Sequence, residues 1–278
     1  MRFAVSIISP PGYLHSEATR EAAEAIHYGL LALGYDSILT SQTDCQDRRH
    51  ILLCPNLLPH YPLPITHDSI LYNLDQVSPD SPWFQPRLFE LFRQYRVWDY
   101  SQRNIEELAR AGIQGVRHLP LGYVPQLTRI ARVEEDIDVL FYGCLNARRL
   151  QVVTALRDSG LKIAVVFGVY GPERDCLIAR SKIVLNMHFY EAKVFEAVRV
   201  SYLLANRRFV VSERGSEAGE ESAFSSGLVF ADYDGLANAC VEYLARPEER
   251  QRIAQAGFEI MLGRDMKQYL KRVTCDLE

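Results

Sequence analysis

Residues 181–214 read SKIVLNMHFYEAKVFEAVRVSYLLANRRFVVSER, and this stretch decides the fold. The apolar run at 183–187 is short and β-branched at its start, as in a strand covered on both faces, and 209–212 repeats that signature. Between them Val194, Ala197, Val198, Ser201, Tyr202 and Ala205 recur at intervals of three and four. That spacing predicts a helix packing one stripe against a sheet. Glu196 belongs to neither pattern. In the second turn of such a helix, flanked by Phe195 and Ala197, its carboxylate is costly to bury unless hydrogen-bond donors meet it.

The same alternation extends outward in both directions. Upstream, 3–9 reads as a strand, 16–33 as a helix stopped by Gly34, and 50–55 as a strand again. SILYNL (69–74) and VWDYS (97–101) have the same look, 104–111 reads as a helix, and VRHLPLGY (116–123) as a further strand. Residues 125–136 turn polar, which places a domain boundary there. Downstream, strands are expected at 138–143, 161–168 and 227–231, with helices at 149–158, 174–181, 234–245 and 247–261. Strand-then-helix order predicts parallel sheets with covered faces. The fold class is therefore α/β: two Rossmann-like domains with parallel sheets facing across a cleft, where ligands bind outside the carboxyl ends of the strands. The domains are expected at 1–130 and 131–278, with the last helix, 265–277, crossing back onto the first.

Bulk composition narrows the class. With 278 residues, 48% hydrophobic and 24% charged, the chain can build a sizeable core and is not of disordered type. A net charge of -4 argues against a sequence-independent grip on nucleic acid or anionic lipid. Cys45, Cys54, Cys144, Cys176, Cys240 and Cys275 are scattered, without the spacing of a zinc site. Reduced thiols in a cytoplasmic protein are expected. The first residues read as a strand rather than a signal sequence, and no stretch is apolar enough for a membrane span. Peripheral membrane association stays open.

Three segments of the carboxy-terminal half together resemble the donor domain of GT-B nucleotide-sugar glycosyltransferases, of the bacterial family 1-like kind. VLFYGCLNARR (139–149) has the strand, the glycine and the basic residues with which that domain opens. The resemblance implies that Gly143 lets the backbone approach the ligand and that Arg148 and Arg149, at a helix start, hold a diphosphate. The alternative is two solvated arginines, with Arg148 the stronger candidate. FGVYG (167–171) stands where the class lines the nucleotide base, implying roles for Gly168, Val169 and Tyr170; an ordinary turn is the alternative. HFYEAKVFE (188–196) is the strongest element. Many retaining members carry Glu, seven residues, Glu, the second holding the donor ribose and the first lying near the sugar. Glu196 matches the second, whereas His188, eight positions earlier, stands where the first would be. Retention or inversion is left open by this departure. Tyr190, Glu191, Ala192 and Lys193 would form the loop at the helix amino end, whose free N–H groups point at phosphate.

In the first half, PPGYLHSEA (10–18) links the first strand to the first helix, and the resemblance makes His15 the candidate base for the acceptor's proton. Ser16 as a helix cap and His15 on the surface is the alternative. YNLDQ (72–76) and WDYSQRN (98–104) lie at strand ends, so Asn73, Asp75, Gln76 and Asp99 are candidates for acceptor contacts, with loop hydrogen bonding as the alternative. The implied activity is metal-independent transfer of a sugar from a UDP-sugar or GDP-sugar donor to an acceptor: a glycan, lipid-linked intermediate, protein or small molecule. The nucleotide sugar is a co-substrate, and no cofactor or nucleic-acid partner is expected. Two other readings remain: a nucleotide-sugar epimerase on the same scaffold, and a catalytically silent nucleotide-binding or partner module.

Overall fold

The computed structural model describes residues 1–78, 81–216 and 218–277. The chain forms two compact units, Met1–Leu127 with Arg264–Glu278, and Thr128–Gly263.

In the first unit β1 (Arg2–Ile7), β2 (Asp36–Thr40), β3 (Arg49–Leu53), β4 (Ile70–Asn73), β5 (Arg96–Asp99) and β6 (Arg117–His118) pair in parallel in the order β2-β1-β3-β4-β5-β6. The helices are α1 (Arg20–Ala32), α2 (Pro86–Gln94) and α3 (Gln102–Arg110). Some expectations need correction. Residues 14–19 form a 3-10 helix ahead of α1, and Ser16 is buried within it rather than capping α1. The strand expected over 116–123 is confined to two residues: Leu119 N–H still donates to Asp99 O at 2.8 Å, and Pro120, with no N–H, cannot extend the ladder. Strand β2 and helix α2 are not predicted by the sequence pattern. The latter opens with a proline at its first position, where a missing N–H costs nothing, and buries only Leu88 and Phe92, one turn apart.

The second unit contains β7 (Ile137–Tyr142), α4 (Ala147–Asp158), β8 (Ile163–Val166), α5 (Gly171–Ala179), β9 (Ser181–Asn186), α6 (Ala197–Ala205), β10 (Val210–Glu213), α7 (Ala218–Ser222), β11 (Val229–Ala231), α8 (Leu236–Leu244) and α9 (Pro247–Leu262). Its strands are all parallel, in the order β11-β10-β9-β7-β8. The β-branched and aromatic strand residues Val139, Phe141, Ile183 and Val211 pack with Val152, Val153 and Leu156 of α4 and Leu236 of α8. Each such side chain contributes about 1.5 to 3 kcal/mol when removed from water. The register sets Tyr142, Asn186 and Glu213 at one end of three neighbouring strands, the end where their loops leave.

Helix α10 (Met266–Thr274) belongs to the first unit and packs on α1. Gly29 and Gly122 make this approach possible. A β-carbon on Gly122 would lie 2.6 Å from the Met266 α-carbon, and one on Gly29 would lie 2.6 Å from Leu270. Tyr123 N–H donates to Arg264 O and Met266 N–H to Tyr123 O, at 2.7 and 3.1 Å, so the junction is closed like a short parallel bridge. Among the described residues no helix is long and apolar enough to cross a membrane.

Candidate functional site

The second sheet reverses its strand order at β7, which has β9 on one side and β8 on the other. Loops leaving such a switch point part company and open a crevice at the carboxyl ends of the strands. Here the loops after β7 and β9 carry most of the residues singled out from the sequence.

Arg149, on the first turn of α4, ties these two loops together. Its side chain is buried, and it donates from Nε to His188 O at 3.3 Å, from Nη1 to Cys144 O at 2.7 Å and from Nη2 to Met187 O. Burial lowers its pKa to about 10, which leaves it charged at neutral pH. Asn146 caps α4 by accepting the Arg149 N–H at 2.9 Å. Arg148 stacks over the Tyr233 ring at 4.0 Å and donates from Nη1 to His188 O at 3.3 Å and to Glu213 Oε2 at 2.8 Å. Its Nη2 also meets Glu213 Oε1. Neither arginine is a solvated surface residue, and Arg149, the weaker candidate in the sequence, is the more deeply held.

Glu213, like Asn186 and Arg199, is absent from the candidates read from the sequence. The apolar run suggested a strand ending at Ser212, but β10 extends one residue further and buries the carboxylate completely. Arg148, Lys193 Nζ at 3.0 Å and the His188 backbone N–H at 3.1 Å surround it. Burial alone would push this carboxyl up. The hydrogen bonds from Arg148, Lys193 and His188 outweigh it and hold the group below the usual carboxylate range. A carboxylate closing an apolar strand at its carboxyl end was the available signal.

Glu196 is not in the second turn of its helix. It is the N-cap residue of α6, which starts at Ala197, because Lys193 takes a left-handed backbone (φ 47°) and the chain does not coil until three residues later. The loop carrying Tyr190, Glu191, Ala192 and Lys193 is therefore separated from the first helical residue by Val194, Phe195 and Glu196. Lys193 N–H closes a turn onto Tyr190 O at 3.2 Å, and Ser216 Oγ donates to Ala192 O at 2.7 Å, so the loop is pinned from both sides. Glu191 is exposed. The Glu196 carboxylate lies 3.9 Å from Arg149 Nη2 through one oxygen and 3.9 Å from Arg199 Nη2 through the other. These are ion-pair distances, too long for hydrogen bonds. With a side chain 22% exposed, Glu196 keeps its lone pairs available for a ligand's donors.

His188 is fully buried, and among the described residues neither ring nitrogen has a hydrogen-bond partner. Burial lowers its pKa against the opposing fields of Glu196 and Glu213, so the ring is neutral at pH 7. Gly143 has φ 142°, a conformation that favours glycine, and its missing side chain leaves space beside Arg199 and Arg149. Gly168 (φ 73°), Val169 and Tyr170 follow β8, the strand beside β7, and Tyr170 is the N-cap residue of α5. The site thus brings together Gly143, Arg148, Arg149, His188, Lys193 and Glu196, and adds Asn186, Arg199 and Glu213.

In the first unit Asn73 and Asp99 are buried and bonded to each other. Asn73 Nδ2 donates to Asp99 Oδ2 at 2.6 Å, Asn104 Nδ2 to Asp99 Oδ1 at 3.0 Å, and Ser101 N–H to Oδ1 at 2.8 Å. Burial raises the Asp99 carboxyl to about 8, against these hydrogen bonds. Asn73 also closes a local turn with Asp75, and Gln76 is buried nearby in sequence. His15 sits in the 3-10 helix after β1, half-buried, with its ring edge-on to Tyr13 at 5.2 Å. Among the described residues no group of three His, Cys, Asp or Glu is placed to hold a metal, and all six cysteines are free thiols.

Two all-parallel α/β units are the architecture that GT-B glycosyltransferases share. Residues 147–273 match the family model described as "Glycosyl transferase-like". The chain is 12% identical to the Anabaena protein Alr3699/HepE, solved with UDP and glucose, over 99% of this chain and 98% of that one, with TM-score 0.63. It is 10% identical to the sucrose-phosphate synthase of Thermosynechococcus elongatus, over 99% of each chain, with TM-score 0.61. Among curated sequences, protein L140 of Acanthamoeba polyphaga mimivirus is 25% identical over 84% of this chain and 75% of its own length. Three further mimivirus proteins, L138, R358 and L137, match shorter stretches, and the chain covers 13%, 56% and 21% of them. The solved structures share the GT-B fold, residues 147–273 are similar to the glycosyl transferase-like family, and none of these matches favours an epimerase.

Proposed function

We propose that the protein transfers a sugar from a nucleoside diphosphate donor to a hydroxyl-bearing acceptor, with the donor held in the crevice at the end of β7, β9 and β10. One observation carries this reading: the Glu196 carboxylate, flanked by two guanidiniums but hydrogen-bonded to neither, is an acceptor kept ready for hydroxyl donors. Ribose hydroxyls are such donors. The surrounding cations suit the diphosphate, whose charge grows as the sugar departs. UDP is the first candidate nucleotide, since HepE was solved with UDP and glucose and with UDP-glucose. Gly168, Val169 and Tyr170 are proposed to line the base, and the neutral His188 to meet the sugar side. His15 is proposed as the acceptor's base and Asp75 as an acceptor contact, both read by turnover at saturating donor. The same proposal places the protein in the cytoplasm, in keeping with its free thiols, and involves no metal.

Calorimetric titration with UDP, GDP and dTDP, paired with hydrolysis of their sugar esters, tests the reading. Glu196→Ala is expected to weaken nucleotide binding by about 1.5 to 3 kcal/mol. Unchanged affinity would remove Glu196 from the site, and turnover of no donor with any acceptor would favour a silent binding module.

A further inference from the structure

The arginines expected to grip the diphosphate are both engaged by the protein. Arg148 forks onto Glu213, and Arg149 is directed at three backbone carbonyls. A third guanidinium is differently placed. Arg199, on the first turn of α6, donates a single side-chain hydrogen bond among the described residues, from Nη1 to Asn186 Oδ1 at 2.9 Å. Asn186 is itself fixed: it is fully buried at the end of β9, and its Nδ2 donates to Ser212 Oγ at 3.0 Å. The Arg199 plane also lies over the Tyr142 ring at 5.0 Å. Its orientation is therefore set by two neighbours that, among the described residues, leave Nη2 without a hydrogen bond.

That nitrogen points at the gap beside Gly143. A β-carbon on Gly143 would lie 3.2 Å from Arg199 Nη2 and 3.7 Å from Arg149 Nη1. Two guanidiniums converge there on a residue that has no side chain, and the nearest carboxylate, Glu196, is 3.9 Å from each. Among the described residues the ion pairs of Arg148, Arg149, Lys193 and Arg199 around the crevice are with Glu196 and Glu213, while Glu221 is answered by Arg214 at 3.6 Å. Positive charge is left in excess. At a strand end with low exposure, that excess favours a bound anion.

We propose that Arg199, anchored by Asn186, is the guanidinium that hydrogen-bonds the diphosphate of the donor from the Gly143 side. Arg148 and Arg149 then serve mainly to fix the loops. The inference rests on the donor-site reading above and adds the residue that distinguishes a diphosphate from a monophosphate.

The test compares UDP with UMP on the full chain. For Arg199→Gln the ratio of UDP to UMP affinity is expected to fall about tenfold or more, with UMP affinity within about twofold of the wild type. Arg199→Lys keeps the charge but not the planar fork, so its ratio is expected to fall about threefold or more, which keeps the test decisive if the Gln variant folds poorly. Wild-type ratios in either folded variant, or equal losses for both nucleotides, overturn the proposal while leaving the donor site standing. A wild-type chain that binds none of UDP, GDP or dTDP overturns the donor-site reading itself, and this inference with it.

Discussion

Each unit buries one carboxylate at the carboxyl end of a parallel strand, and the two behave in opposite ways. Asp99 closes β5 and meets amides: Asn73, Asn104 and the Ser101 N–H. Glu213 closes β10 and meets two cations and one N–H. Both are fully buried. Neutral donors only partly compensate a buried charge, so Asp99 is pushed up to about 8, whereas Arg148 and Lys193 pull Glu213 below the usual range. Depth and strand position are shared, so the charge of the partners makes the difference. The Asp99 network satisfies itself and ties β4, β5 and α3 together. The Glu213 network leaves cations over, which is what a site for an anionic ligand requires.

The comparison breaks most visibly at Arg148. Arg148→Met leaves Glu213 buried with Lys193 and one N–H, and is expected to cost about 2 to 3 kcal/mol in urea unfolding at pH 7. A loss under about 0.5 kcal/mol would mean that the pair does not hold these loops.

Asp99→Asn sharpens the contrast through pH. It removes acceptor strength from three donors and is expected to cost about 1 to 2 kcal/mol near pH 5. Because the folded pKa of Asp99 lies above the unfolded value of 3.8, its contribution is complete below that value and is lost as pH rises through about 8. The Asn variant has no such titration, so its deficit should shrink between pH 5 and pH 8. A deficit that grows over this interval would reverse the assignment. Glu213 has the opposite sign: its folded pKa is depressed, so its contribution holds above the usual glutamate value and is lost as pH falls through the folded one.

The smallest effect is expected at Lys193, whose side chain is 36% exposed. Lys193→Met should cost less than about 1 kcal/mol, since Arg148 remains on Glu213 and the pair is screened by solvent. A loss equal to that of Arg148→Met would show that the loop's left-handed turn at residue 193 depends on this contact.

The sequence by itself determined the class of fold. Alternating strand and helix periods, set by residues such as Val139, Phe141, Ile183 and Val211, dictate parallel sheets because strands rich in such side chains must be covered on both faces. It also identified Gly143, Arg148, Arg149, His188 and Glu196 as residues worth watching, since glycine, paired arginines and a carboxylate among apolar neighbours are visible locally. Short elements such as α2 and the extent of β10 were not legible, because packing rather than local preference fixes them.

Tertiary structure alone decided which of those residues hold the frame and which face the crevice. Glu213, separated from Arg148 by 65 positions, captures it only because parallel pairing brings the ends of β9 and β10 alongside the start of α4. Arg199 lies three residues after Glu196 on one short helix, yet its open donor follows from Asn186 on a neighbouring strand. Hydrogen bonds and ion pairs are made between neighbours in space, and the chain order does not record which neighbours those are.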